Sequence, residues 1–307
     1  MREIPLFVVN GFLESGKTTL IKEIIENNEM YHNGTTVIIA CEDGEISYDK
    51  KWCEDYGVYV EYIEDEDEFT ADFMRNIDDI YHAEQYVIEY NSFFDWDNQQ
   101  FPNNMIIYQQ ITLIDSTNFE VMFNNMRKIF QTMVKESAII IFNRCDNNQN
   151  LSKYRRWIRG MNQQAQIGFE GSDGRVTAML DEDLPYDLSK DVIAFEDDVY
   201  PTWYIEVFDH YEKYLNKTFK FKAFVRDILE DTFVLGRKVM TCCADDIQFL
   251  GYEVINNTDT TVKLNDCIYI ECRVDYRYSN LAGENVVMLI ADKISILKPE
   301  EEEVVSL

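Results

Sequence analysis

The run from Gly11 to Thr18 reads GFLESGKT and fits the spacing GxxxxGK[ST]. Glycines such as Gly11 and Gly16 let backbone N–H groups curl around phosphate oxygens, and Lys17 adds a mobile cation. The Thr18 hydroxyl is placed to hold Mg²⁺. Glu14, Ser15 and Thr19 complete the loop and its exit. A second set, Asn143, Arg144, Cys145 and Asp146, follows an apolar run far along the chain. An aspartate there accepts from the N1 and N2 donors of guanine, which adenine cannot supply. Asn143 and Asp146 take the outer positions of the guanine-reading NKxD pattern and are the base-reading candidates, with arginine where that pattern has lysine, two cations that are not equivalent; a loop with no binding role is the competing reading. A third set is Cys242 and Cys243 with Asp245 and Asp246. Adjacent thiols and carboxylates can hold Zn²⁺ or another transition metal, with Cys267 or Cys272 completing the shell; structural, buried cysteines are the competing reading.

These residues need elements to position them. The apolar run 6–9 predicts a short buried strand ahead of the loop, and Leu20, Ile21, Ile24 and Ile25 continue at helical spacing behind it, giving a helix over about 17–29. Strand, glycine loop and helix together mark a phosphate-binding loop, with the helix directing its positive end at the anion. Further strands are expected at 35–40, 58–63, 85–90, 106–108, 111–114 and 138–142, with a short one near Gln166. Helices are expected at 69–80, about 118–135 and 153–161. The stripe Phe119, Met122, Phe123, Met126, Phe130 and Met133 in the second of these reads as core packing. Strands alternating with helices predict an α/β unit of P-loop NTPase type, with a mostly parallel sheet and flanking helices.

The pattern changes after Gly171. Residues 171–198 are acidic, irregular and glycine-containing and read as a linker or a partly ordered connection. A helix over 200–214 leads into five strand candidates, at 219–226, 233–240, 249–255, 267–274 and 286–296. Such a run predicts a small all-β domain, either a barrel of oligonucleotide/oligosaccharide-binding (OB) type or a small sandwich. The expected division is a P-loop domain at 1–170, the linker at 171–198, the β domain at 199–298 and a solvated acidic tail at 299–307.

Composition limits the partners. With 46% hydrophobic residues in 307, the chain can bury a substantial core. Its formal charge of −29, from 57 acidic against 28 basic residues, repels nucleic acid and anionic membranes. No apolar run has the length of a membrane span, and the start of the chain does not read as a signal peptide. Seven irregularly spaced cysteines do not form a disulfide framework. A cytoplasmic protein without direct membrane insertion is the expectation.

Four segments of the first 170 residues resemble the CobW/HypB/UreG family of metal-linked GTPases, nearest its CobW branch. The phosphate loop is similar to GFLGSGKTT, with Glu14 replacing a glycine. Residues 40–49, which include Glu42, Glu45 and Asp49, resemble the switch segment VNEFGEIGID. Residues 87–92 resemble IExxG, with Ser92 in the glycine position. Residues 158–165 resemble IRxLNPxA. The resemblance implies that Glu42 or Asp49 lies near the nucleotide in a switch loop, reaching Mg²⁺ directly or through water, and that Glu89 is the acid beside the metal. The residues agree in kind for Glu89, since a carboxylate ending a parallel strand beside a phosphate loop is where Mg²⁺ needs one. Lys17, Glu42, Asp49 and Glu89 are thus the expected catalytic set. One departure is marked. Where CobW relatives carry a CxCC motif, residues 63–69 are acidic and contain no cysteine, and carboxylates favour hard cations over Zn²⁺ or Co²⁺. From Tyr200 to Leu297 the chain also resembles the soluble C-terminal domain of YcgQ-type permease partners, through residues 214–218, 233–237 and the cysteine cluster.

Motifs and resemblance together predict a Mg²⁺-dependent GTP-binding protein, cycling between GTP and GDP with slow hydrolysis. Its implied task is metal homeostasis, as a metallochaperone or as the regulator of a metal transporter, with a membrane transporter or metalloprotein client as partner. No residue declares itself as an arginine finger or a water-positioning glutamine, which predicts weak intrinsic turnover. Two rivals remain: an ATP-using P-loop enzyme, and a nucleotide-regulated adaptor without metal cargo.

Overall fold

The computed structural model describes residues 2–27, 34–146, 149–175, 184–241, 246–298 and 301–307. The chain divides into two units, Met1–Leu151 with Met161–Met179, and Ser152–Gly160 with Leu180–Leu307.

The first unit runs β1 (Ile4–Asn10), α1 (Lys17–Glu26), β2 (Thr36–Ala40), α2 (Lys50–Tyr56), β3 (Val58–Tyr62), α3 (Ala71–Tyr81), β4 (Gln85–Glu89), β5 (Met105–Asp115), α4 (Phe119–Val134) and β6 (Ile139–Cys145). Next comes α5 (Leu151–Met161), whose body groups with the second unit, and then β7 (Gln166–Gly171) and β8 (Gly174–Arg175). The sheet order is β3-β2-β4-β1-β5-β6-β7-β8. Its first seven strands are parallel, and β8 folds back antiparallel on β7. β1 shows why: Leu6 and Val8 enter one core, Phe7 and Val9 the other, so both faces of the strand are covered.

The register gathers the ends of the strands. Val9 lies beside Glu89, Asn10 beside Thr112, and Asp115 beside Asn143. The carboxyl ends of β1, β4, β5 and β6 therefore meet along one rim, where open α/β sheets bind ligands. Phe119, Phe123, Phe130 and Met133 of α4 are buried as core, and the helix kinks at Met126 (φ −133°, ψ 38°). Two strands expected at 106–108 and 111–114 are one, β5. α2 escaped the sequence reading because it is short; Asp49 starts it and Gly57, in the left-handed conformation at φ 66°, stops it.

The second unit holds β9 (Val192–Ala194), α6 (Tyr200–His210), β10 (Thr218–Ile228), β11 (Thr232–Met240), β12 (Ile247–Asn256), β13 (Cys267–Ser279), β14 (Glu284–Ile296) and β15 (Val305–Ser306). Five strands close on themselves in the order β10-β11-β12-β14-β13-β10. All neighbours are antiparallel except β12 and β14. The unit is thus a closed barrel with OB-type connectivity, not a sandwich. Trp203 of α6 is fully buried against its core, with ring centroids 4.8 Å from Phe221 and 5.4 Å from Phe219.

Two expectations are corrected here. The stretch read as a linker contributes β9, which adds parallel to β10. The tail expected to be solvated contributes β15, parallel to β11, and the half-buried Glu302 pairs with Arg226 at 2.9 Å and accepts from the backbone N–H of Lys238 at 2.7 Å. Composition marked both segments as polar, but the sheet supplies strand partners and cations that composition does not display. Among the described residues no helix is long and apolar enough to cross a membrane.

Candidate functional site

The phosphate loop is built from β1 outward. Asn10 Oδ1 accepts from Gly11 N at 2.7 Å and from Ser92 Oγ at 2.7 Å, which ties the loop entrance to the segment after β4. Gly11 has φ 149°, and a Cβ there would stand 2.5 Å from Leu113 O and from Ser15 Oγ. Only glycine fits both the torsion and the space. Glu14 holds φ 62°, a left-handed conformation that costs a residue with a side chain about 1 kcal/mol or more.

Lys17 opens α1 and is buried. Its Nζ donates to Phe12 O at 2.9 Å and Gly11 O at 2.6 Å, and it pairs with the Glu42 carboxylate. Burial raises the Glu42 carboxyl above its ordinary range, and Lys17 opposes that rise. Thr18 Oγ1 donates to Glu89 Oε1 at 2.6 Å, and Tyr48 OH donates to Glu89 Oε2 at 2.6 Å. Burial, followed by the neighbouring Glu89 charge, raises the Tyr48 phenol, so it stays a donor. Cys41, next to Glu42, is likewise pushed up to about 12 by burial, which keeps it a thiol.

The far side of the loop is held by β6. Asn143 Nδ2 donates to Ser15 O at 2.7 Å. Arg144 Nη1 donates to Asp115 Oδ2 at 2.6 Å and to Glu14 O at 3.1 Å. The guanidinium thus clamps the end of β5 to the phosphate loop. Asp146 follows on the exposed loop, where its backbone N–H donates to Gln149 Oε1 at 2.9 Å. A small cleft lined by Leu13, Glu14, Gly16, Lys17, Thr18, Thr19, Glu42, Gly44, Glu45, Ile46, Glu89 and Arg144 opens above the loop.

Gly11, Glu14, Ser15, Gly16, Lys17, Thr18, Thr19, Glu42, Glu89 and Asn143 are brought together at this rim. Asp49 is not. Its carboxylate accepts from Trp52 N at 3.0 Å as the N-cap of α2, a bond that lowers its pKa, and it stands 3.8 Å from Lys22. Asn10 and Tyr48 were missed in the sequence. Neither belongs to a spaced motif, and an aromatic within the switch segment was the one available sign for Tyr48.

The donor set tests which groups the site can take. A hydroxyl and a carboxylate, Thr18 and Glu89, offer only oxygen, which fits Mg²⁺. Buried Ser15 Oγ and Asn143 Oδ1 make no hydrogen bond among the described residues, leaving capacity beside the loop that fits a nucleotide. For a transition metal, Cys242 and Cys243 lie outside the described residues. Cys267 and Cys272 are both buried in β13, and burial raises the Cys272 thiol strongly. Within the acidic loop at 64–68, Glu66–Glu68 form a 3₁₀ turn capped by Asp65, and no group of three His, Cys, Asp or Glu able to hold a metal occurs among the described residues.

Fold and site define a P-loop NTPase unit followed by a five-stranded barrel unit. Residues 5–65 match the family model for the CobW/HypB/UreG nucleotide-binding domain. Residues 172–304 match that for the DUF1980 C-terminal domain. Both resemblances read in the sequence therefore hold. Among solved structures, the chain is similar to Zn(II)-bound YjiA GTPase from E. coli, at 20% identity over 59% of this chain and 60% of that one, with a TM-score of 0.42. It is also similar to the hydrogenase maturation factor HypB from Archaeoglobus fulgidus, at 15% identity over 56% and 82%, TM-score 0.40. HypB from Helicobacter pylori in complex with nickel gives 14% over 55% and 80%, TM-score 0.37. The chain spans less than two thirds of YjiA's length. No curated protein matches it significantly.

Proposed function

We propose that the protein binds GTP with Mg²⁺, hydrolyses it slowly, and uses the nucleotide state in metal-ion homeostasis. The observation that carries the reading is the Thr18–Glu89 pair, 2.6 Å apart beside the buried Lys17 ammonium. Lys17 and the loop amides hold the β and γ phosphates, Thr18 and Glu89 hold the cation, and Asn143 and Asp146 read guanine. Mg²⁺ supplies charge neutralisation on the phosphates when bound. Its requirement is steep, because Glu14, Glu42, Glu45 and Glu89 line the cleft against Lys17 and Arg144. Catalysis is positioning and charge stabilisation. Neither glutamine nor histidine lines the cleft among the described residues, which supports weak turnover without a partner.

The metal-handling task rests on the CobW/HypB/UreG match over residues 5–65. The DUF1980 match over 172–304 supports an output through the barrel unit, toward a transporter or a metalloprotein client. A second reading, an adaptor without metal cargo, is favoured by the capped, cysteine-free turn at 64–68.

A competition titration of GTP against ATP tests the nucleotide, with Asp146→Ala alongside. Wild type prefers GTP, and the variant loses about tenfold of that preference, the worth of one charge-assisted hydrogen-bond pair. Preference for ATP in the wild type returns the protein to the ATP-using class. Metal analysis of protein purified without chelators, with and without GTP and with Cys242→Ala/Cys243→Ala, separates a metallochaperone from an adaptor.

A further inference from the structure

Glu14 occupies a position whose torsion, φ 62°, suits glycine, and its carboxylate has a specific use. Glu14 Oε1 accepts from Glu45 N at 2.9 Å, so the phosphate loop grips the backbone of the segment that carries Glu42. Gly44 leaves room for this approach, since a Cβ there would stand 3.2 Å from Glu14 Oε1. Three residues before Glu45, the Glu42 carboxylate pairs with Lys17, the cation that the phosphates need. The segment at 42–45 is therefore fastened to the loop twice, once through a side chain and once through the main chain.

We infer that Glu14 is a latch that positions the 42–45 segment so that Glu42 competes with phosphate for Lys17, and so limits nucleotide loading. The inference rests on the nucleotide reading above and adds regulation to the same site. Loading a polyphosphate takes Lys17 from Glu42. As long as the Glu14 bond holds the backbone at 45, Glu42 stays close and the exchange is opposed. A partner that lifts this segment accelerates loading without touching the phosphate loop.

The test compares wild type, Glu14→Gly and Glu14→Gln. Glycine removes the latch and suits the torsion, whereas glutamine keeps an acceptor oxygen and removes the charge. Calorimetric titration with Mg²⁺·GDP is expected to show about three- to tenfold tighter binding for Glu14→Gly, the worth of one hydrogen bond, and less than half of that gain on a logarithmic scale for Glu14→Gln. Hydrogen exchange without nucleotide is expected to lose protection at the Glu45 amide in Glu14→Gly and to keep most of it in Glu14→Gln. Equal gains for the two variants mean that charge repulsion alone acts, and overturn the latch. Unchanged Glu45 exchange in Glu14→Gly overturns it as well. If no variant binds nucleotide, wild type included, the nucleotide reading fails, while the exchange measurement still decides whether Glu14 holds the segment.

Discussion

Thr18 and Glu89 lie 71 residues apart in the chain, yet Thr18 Oγ1 donates to Glu89 Oε1 at 2.6 Å. The pairing follows from register, because β1 and β4 are parallel neighbours and Val9 stands beside Glu89. Glu89→Gln keeps the shape and one acceptor oxygen, replaces the other oxygen by an N–H donor to which a hydroxyl must turn and accept, and removes the charge that a divalent cation needs. Half-saturation by Mg²⁺ in a titration with fluorescent GDP is expected to rise about tenfold or more. An unchanged Mg²⁺ dependence removes Glu89 from the metal.

Glu42 carries a pH signature. Its carboxyl is raised above the ordinary 4.5, chiefly by burial, so the folded state holds a proton more tightly than the unfolded chain. The contribution to stability is present below 4.5 and is lost as pH rises through the raised folded value. Chemical unfolding of wild type and Glu42→Gln across pH 4 to 7 is expected to show wild type losing stability relative to the variant as pH rises. A parallel pair of curves contradicts the assignment.

The barrel unit contains a buried ionic cluster that makes its own prediction. Arg155 of α5 pairs with Glu206 of α6 at 2.5 Å and with Asp209; Arg156 reaches Glu206 at 3.2 Å, and Arg159 Nε reaches Asp209 at 2.9 Å. Arg155, Arg156 and Glu206 are all buried. Removing one anion leaves cations stranded away from water, so Glu206→Ala is expected to cost about 3 kcal/mol in urea unfolding. A loss below about 1 kcal/mol, the usual range for exposed ion pairs, indicates that water reaches the cluster.

Asp49 separates the switch role implied by resemblance from the role that its contacts give it. As the N-cap of α2, Asp49→Ala loosens that helix and is expected to leave GTP affinity within about twofold of wild type, as for ordinary surface substitutions. A tenfold loss of Mg²⁺-dependent affinity restores Asp49 to the metal site.

The sequence by itself determined the parts of this protein that depend on near neighbours. Strand, GxxxxGK[ST] loop and helix are local, so Gly11, Lys17 and Thr18 were legible as a phosphate site. The alternation of strands and helices gave the parallel sheet, because crossover connections leave long, regular spacings. A change of period near Gly171 gave the second domain, but barrel and sandwich share one strand pattern, and only the β10–β11 and β12–β14 pairings closed the barrel. Tertiary structure also decided which acids meet the loop. Glu42 and Asp49 lie seven positions apart in one acidic segment, yet burial against Lys17 claims the first and a helix start claims the second. Tyr48, on the segment after β2, reaches Glu89 at the end of the neighbouring β4, and Glu14 reaches Glu45 across the cleft. Spacing records what neighbours in the chain can do together; which distant side chain supplies a hydrogen bond depends on sheet register and burial, and these exist only in the folded chain.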